Sequence, residues 1–161
     1  MPVKYSELKM ELSQQHQSII DGIEAVCKKR NIKLTSQRKI VLAIMLKSEK
    51  AMSAYELLDL LKIEEPHAKP PTIYRVLEFL LEQDFIHKVE SSNSYVICPH
   101  FNQLDHISIL IICDNCKQIT ESNSEQVADT LKALAKQQQF QIKHSVIEIH
   151  GLCHTCKLIT Q

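Results

Sequence analysis

Two short cysteine clips constrain this chain more than any other feature. Cys113 and Cys116 are separated by two residues, and so are Cys153 and Cys156. One such pair can hold a metal, form a redox disulfide, or be coincidence. Two pairs across a long gap form the usual ligand set of a closed tetrahedral zinc site. Four sulfurs on one ion oblige distant parts of the chain to meet.

Composition tests the rival explanations of those cysteines. The chain has 161 residues, is 44% hydrophobic, and has only 2 Gly and no Trp, which suits one or two small helix-rich domains with a buried core. The longest apolar run, around Ile107–Cys113, is far too short to span a bilayer. The N-terminal "MPVKYSELKMELSQQHQ" lacks the apolar stretch of a secretory signal. The chain is therefore expected to be cytoplasmic, without a membrane partner. Thiols stay reduced there, which favours zinc over a disulfide framework. A thioredoxin-like redox pair fits poorly, because neither flanking segment reads as strand-turn-helix and one pair would suffice.

Net charge is zero, yet charge is uneven. Between Cys27 and Lys50 stand eight basic residues (Lys28, Lys29, Arg30, Lys33, Arg38, Lys39, Lys47, Lys50) against one acid, Glu49. Such a stripe is either a solvated helix face or a phosphate-binding surface.

The first half reads as helices. Ile19, Ile20, Ile23, Val26 and Cys27 share a helical face, with Cys27 a core thiol and not a metal ligand. Thr35 can cap a helix that carries Ile40, Val41, Ile44 and Met45 inward. Ser53 and Glu56 form a capping box before Leu57, Leu58 and Leu61. In "AKPPTIYRVLEFLLEQ", Pro71 suits a first helical turn. Ile73, Val76, Leu77, Leu80 and Leu81 follow as one stripe. Arg75 lies opposite that stripe, with Tyr74 on its flank, the placement expected of a recognition helix whose N-terminal part meets base edges.

"FIHKVESSNSYVICP" predicts a hairpin with strands Phe85–Ser91 and Ser94–Cys98 around a two-residue loop at Ser92-Asn93. Helices followed by a hairpin make a winged helix-turn-helix. Beyond Pro99, "HISILIIC" and "KQITE" read as strands. Ser122 and Glu125 read as a second capping box, opening a helix with Val127, Leu131, Leu134 and Ala135 on one side. "FQIKHSVIEIHG" reads as a further strand. The predicted fold class is α+β. Residues 1–97 form a winged-helix DNA-binding domain, 98–103 a hinge, and 104–161 a small α/β domain carrying the four-cysteine site.

The segments "LTSQRKIVL", "SAYELLDLL", "KPPTIYRVLEFLLEQDFIHKV", "SYVIC", "CDNC" and "HGLCHTC" together resemble the ferric uptake regulator family of metal-sensing repressors, and within it the zinc uptake regulator branch. The likeness runs from about Gln17 to Cys156. It implies a homodimer, dimerisation through the second domain, and operator DNA in the form of an AT-rich inverted repeat. No small-molecule substrate is implied. Tyr55, Thr72, Tyr74 and Arg75 are the candidate DNA contacts. Three positions depart from the family pattern: "FNQLDH" stands where the iron branch has a histidine-rich segment, Ser36 replaces the usual Pro, and His100 is an extra imidazole.

A sensor needs a second, exchangeable site. With the two-residue loop, His87 is expected directly opposite Cys98, close enough to share an ion. The resemblance adds His106 and Glu121 from the second domain. One thiolate, two imidazoles and one carboxylate suit tetrahedral zinc, whereas pure nitrogen and oxygen donors would suit the iron- or peroxide-sensing alternative. The expected complement is two zinc ions per chain, one structural and one regulatory. His144, His150 and His154 are weaker candidates. A zinc enzyme is disfavoured: neither H-x-E nor H-E-x-x-H occurs, and four protein ligands leave no open position for a catalytic water.

Overall fold

The computed structural model describes residues 12–48, 50–103 and 106–159. Most of "MPVKYSELKMELSQQHQ", Glu49 of the basic run, and Leu104 and Asp105 of "FNQLDH" lie outside the described residues. The chain divides into two compact units, Met1–Asn102 and Gln103–Gln161. Among the described residues no helix is long and apolar enough to cross a membrane.

The first unit contains α1 (Gln14–Lys29), α2 (Ser36–Ser48), a two-residue strand β1 (Met52–Ser53), α3 (Ala54–Glu64), α4 (Pro70–Glu82), β2 (Ile86–Val89) and β3 (Ser94–Ile97). Its core forms around α2, where every residue from Ile40 to Leu46 is buried, not only the four expected on one face. A helix apolar on all sides belongs at the centre of a unit. Ile23 and Cys27 of α1, Leu57, Leu58 and Leu61 of α3, and Ile73, Val76, Leu77 and Leu80 of α4 complete that core.

The helix starts follow local chemistry. The Thr35 hydroxyl accepts from the Arg38 N–H at 3.4 Å. At α3 the capping box is complete: Ser53 Oγ accepts from Glu56 N at 3.3 Å, and Glu56 Oε2 accepts from Ser53 N at 2.7 Å. Pro70 and Pro71 open α4. Its end is a Schellman-type turn, with Asp84 at φ 59° and the Phe85 N–H donating to the Leu80 carbonyl at 2.9 Å.

The wing differs from expectation in its turn. β2 and β3 are joined by a 3-10 turn at Glu90–Ser92 followed by Asn93 at φ 48°, a longer connection than Ser92-Asn93 alone. The register moves by two residues. His87 pairs with Val96, and the Cys98 N–H donates to the Phe85 carbonyl at 3.0 Å. β1 adds a third strand, giving the order β1-β3-β2. Of the expected hinge, Phe101 is buried in the core of this unit, edge-on to Phe85 at 6.4 Å between ring centroids. A Cβ on Gly22 would stand 3.0 Å from Phe101 Cζ, so α1 keeps a glycine under that ring.

The second unit contains β4 (Ser108–Cys113), β5 (Ile119–Ser122), α5 (Glu125–Gln137), β6 (Val146–Gly151) and α6 (His154–Ile159). The sheet order is β5-β4-β6. β4 runs antiparallel to β5 and parallel to β6, with α5 in the crossover. Three expectations change. Ser122 ends β5, and the cap of α5 is Ser124, whose side chain accepts from Val127 N at 3.4 Å. The last strand begins at Val146, leaving Phe140 outside it and 67% exposed. Leu134 does not join the half-buried Val127, Leu131 and Ala135, and is 54% exposed.

Candidate metal centres and nucleic-acid face

The two cysteine clips meet in the second unit. Cys113 ends β4 and Cys116 follows in a tight turn. That turn closes through Lys117 N to Cys113 O at 2.9 Å and Cys113 N to Gln118 O at 2.9 Å. It places Lys117 at φ 61°. Cys153 precedes α6, and Cys156 lies in its first turn. Because β4 and β6 are adjacent and parallel, the clips that follow them emerge side by side. All four sulfurs lie within 4.8 Å of one another. Cys116 Sγ stands 3.8 Å from Cys153 Sγ. Zinc–sulfur bonds of about 2.3 Å in a tetrahedron give an edge of about 3.8 Å, so the cluster has the size of a zinc site. It is too wide for a disulfide, whose sulfurs would be about 2 Å apart.

The backbone prepares the cluster for anionic sulfur. The Cys153 N–H donates to Cys113 Sγ at 3.3 Å. This bond and one from the Cys116 N–H hold the Cys113 thiol down at about 6. At Cys156 the Asn115 side chain pulls the thiol down, but the neighbouring Cys153 and burial outweigh it and push the value up to about 11. Four thiols so close cannot all ionise without a cation to compensate them. A zinc ion would supply that compensation, and the donor set fits it.

His150 is near this cluster in sequence but is engaged otherwise. Its Nδ1 is 3.1 Å from Asp114 Oδ1, and its Nε2 is 3.3 Å from Glu148 Oε2. The two carboxylates raise its pKa. Both ring nitrogens face acids on opposite sides, an ion-pair bridge and not a ligand arrangement. His144 and His154 are exposed.

The residues expected in a second site fall into two pairs, one per unit. In the first unit His87 and Cys98 are both buried, and their ligand atoms lie within 4.8 Å of each other. They are not directly opposed. In this register Cys98 is two residues beyond Val96, the partner of His87. A shift of two preserves the face, because side chains alternate with a period of two. The pair is therefore diagonal, at a separation of about 7–8 Å that a long imidazole can bridge.

In the second unit His106 Nε2 is 3.5 Å from Glu121 Oε1. The other ring nitrogen, Nδ1, is 2.8 Å from the Gln103 carbonyl. A carbonyl only accepts, so this contact assigns a proton to Nδ1, and Nε2 is the ring nitrogen that faces Glu121. The Gln103 side chain is itself held, accepting from Asn123 Nδ2 at 2.9 Å. The orienting carbonyl escaped the reading of the sequence, since a backbone acceptor leaves no residue-type signature.

The expected DNA contacts lie on the first unit. Arg75 and Tyr74 project from the first two turns of α4, and Tyr74 is 45% exposed. Tyr55, in the first turn of α3, is 66% exposed. Thr72 is half-buried, and its hydroxyl accepts from Lys69 N at 3.2 Å, so it secures the start of α4. An arginine and two tyrosines standing clear of the surface can pair with base edges and phosphates.

The sequence model of the ferric uptake regulator family matches residues 29–150. The chain is 51% identical over 140 residues to the zinc uptake regulation protein of Escherichia coli (strain K12), a match covering 87% of this chain and 82% of that protein. Among solved structures, a zinc uptake regulator complexed with zinc and DNA superposes with a TM-score of 0.86 at 48% identity, covering 92% of this chain and 99% of that one. The crystal structure of holo XcZur matches with a TM-score of 0.80 at 38% identity, covering 88% of this chain and 98% of that one.

Proposed function

Because the chain belongs to the ferric uptake regulator family, we propose that it is a zinc-responsive transcriptional repressor that binds operator DNA as a zinc-loaded homodimer and controls genes for zinc uptake. The observation that carries this reading is the pair of ligand sets in a chain 51% identical to a zinc uptake regulation protein. The presence of Cys98 in the second set supports zinc over the iron- or peroxide-sensing alternative, because a thiolate is a soft donor. The protein acts in the cytoplasm, where its thiols stay reduced.

The two sets have different tasks. Cys113, Cys116, Cys153 and Cys156 hold a structural zinc and contribute folding energy to the second unit. His87, Cys98, His106 and Glu121 hold the regulatory zinc. An ion held there would supply coordinate bonds to residues on both sides of the 98–103 linker. Four side chains held together in this way would restrict the angle between the domains. In a dimer that angle sets the spacing of two α4 helices, which must meet successive major grooves about 34 Å apart. Zinc affinity and DNA affinity are thereby linked.

The dimer surface lies on the second unit. Ile111 and Ile149 are register partners on neighbouring strands and are 47% and 49% exposed. An apolar sheet face of this kind belongs against a partner. The operator is an AT-rich inverted repeat, matching a two-fold protein. The direct test is a mobility-shift titration of operator DNA after mild chelation and after zinc is restored. The reading predicts binding that returns with zinc and not with iron. Equal binding by the chelated and restored protein would refute it.

A further inference from the structure

The run of basic residues from the end of α1 to just beyond α2 separates into two groups by burial. Lys28, Lys29, Lys33, Lys47 and Lys50 are exposed, whereas Arg30, Arg38 and Lys39 are half-buried. The half-buried three are turned inward. Lys39 pairs with Glu24 of α1 at 3.0 Å. Both arginines reach α4.

Arg30, at the end of α1, donates to the backbone carbonyl of Gln83 at 2.9 Å and stands 3.3 Å from the Gln83 side-chain oxygen. Gln83 is the C-cap of α4. Its carbonyl lies at the negative end of the helix dipole, among acceptors that the helix itself leaves unsatisfied. The same guanidinium lies 5.6 Å over the ring of Phe85, which is fully buried. Arg38, in the first turn of α2, stacks on Phe79 with its guanidinium carbon 3.3 Å from the ring centroid. It also donates to the Lys33 carbonyl at 2.6 Å. Phe79 lies one turn beyond Arg75 on α4. Burial lowers the pKa of Arg38, as expected of a guanidinium withdrawn from water.

We propose that Arg30 and Arg38 are positioning residues for α4, clasping it at its C-terminus and along the turn next to Arg75, and that they are not phosphate ligands. The proposal rests on the reading of α4 as the DNA-reading helix. One clasp fixes the end of the helix and the other fixes its rotation about its own axis. A bidentate arginine contact to a base tolerates little error in either. Each guanidinium already engages a backbone carbonyl and an aromatic face of its own unit. Lysine can replace neither, because it lacks the planar fork that stacks and donates together.

Salt dependence separates positioning from phosphate binding. Each phosphate contact adds about 0.9 to the slope of log K against log salt, while positioning adds nothing to it. The variants are Arg30→Lys, Arg30→Ala, Arg38→Lys and Arg38→Ala, with Arg75→Ala alongside. Each is loaded with zinc and titrated against two duplexes at several salt concentrations. One duplex carries a site selected by the wild-type protein from a random pool, and the other is scrambled. Thermal melting confirms that each variant is folded, and the lysine variants serve if the alanine variants are not.

The expected result is an unchanged salt slope, with the ratio of specific to scrambled affinity falling about tenfold. The lysine variants should share that loss despite keeping their charge. A slope shallower by about two, one contact from each protomer, with the ratio intact would make the arginines phosphate ligands and overturn the proposal. An unchanged ratio and slope would overturn it as well. If Arg75→Ala loses the ratio while the clasp variants keep it, the proposal alone fails. If Arg75→Ala keeps the ratio, the reading of α4 fails with it.

Discussion

His87 and Cys98 are diagonal neighbours on one face of the wing, with ligand atoms within 4.8 Å, while the residue directly across from His87 is Val96. The diagonal lets the long imidazole lean along the strand toward a short thiol. Cys98→Ser removes the soft donor and leaves the hairpin bonds intact, including Cys98 N–H to the Phe85 carbonyl. The variant should remain folded and dimeric, with zinc content near one per chain instead of two. It should bind operator DNA weakly whether or not zinc is added. Metal analysis beside a mobility shift reads both outcomes, and a variant that still holds two zinc ions would exclude Cys98 as a ligand.

That pairing shows where the sequence was legible and where it was not. The side of the sheet followed from alternation, which survives a register shift of two. The register depended on the turn, and Glu90–Ser92 with Asn93 in the left-handed region carries no dipeptide signature like Asn-Gly. Helices α1 to α4 followed from apolar stripes and caps, and the four-cysteine cluster followed from its spacing. β1, only two residues long, lies below the reach of periodicity. The second unit was harder to read. Ile111 and Ile149 look like core residues in the sequence, yet both stand half-exposed on the sheet. The inward turn of Arg30 and Arg38 was equally hidden, since a charge run does not reveal which members find carbonyls and rings.

The four-cysteine cluster should behave as part of the fold. Structural zinc of this type contributes about 10–16 kcal/mol in small domains, comparable to the roughly 5–15 kcal/mol that separates a whole domain from its unfolded state. Cys116→Ser breaks the cluster at its exposed member, where loss of packing is small. The expected outcome is loss of the dimer or aggregation, seen by sedimentation, and not merely a weaker zinc response. A soluble dimer with a normal response would remove this cluster from the structural role.

Arg75 is exposed on α4 and makes no contribution to the core. Arg75→Ala should therefore keep the thermal stability and both zinc ions. It should lose about 1–3 kcal/mol of discrimination between operator and scrambled DNA per protomer, the usual strength of one bidentate arginine contact. Competition binding at fixed salt measures this, and discrimination equal to wild type would exclude Arg75 as the reader.

The central claim is that zinc at His87, Cys98, His106 and Glu121 sets DNA affinity, and linkage makes that claim symmetric. A hundredfold gain in operator affinity on zinc binding corresponds to a coupling of about 2.7 kcal/mol. Operator DNA must then tighten zinc binding by the same factor. The decisive measurement is a competitive zinc titration of the wild-type protein, its four-cysteine site full, with and without operator DNA. The account predicts a zinc dissociation constant about a hundredfold lower with DNA present. Identical constants in the two titrations would contradict it.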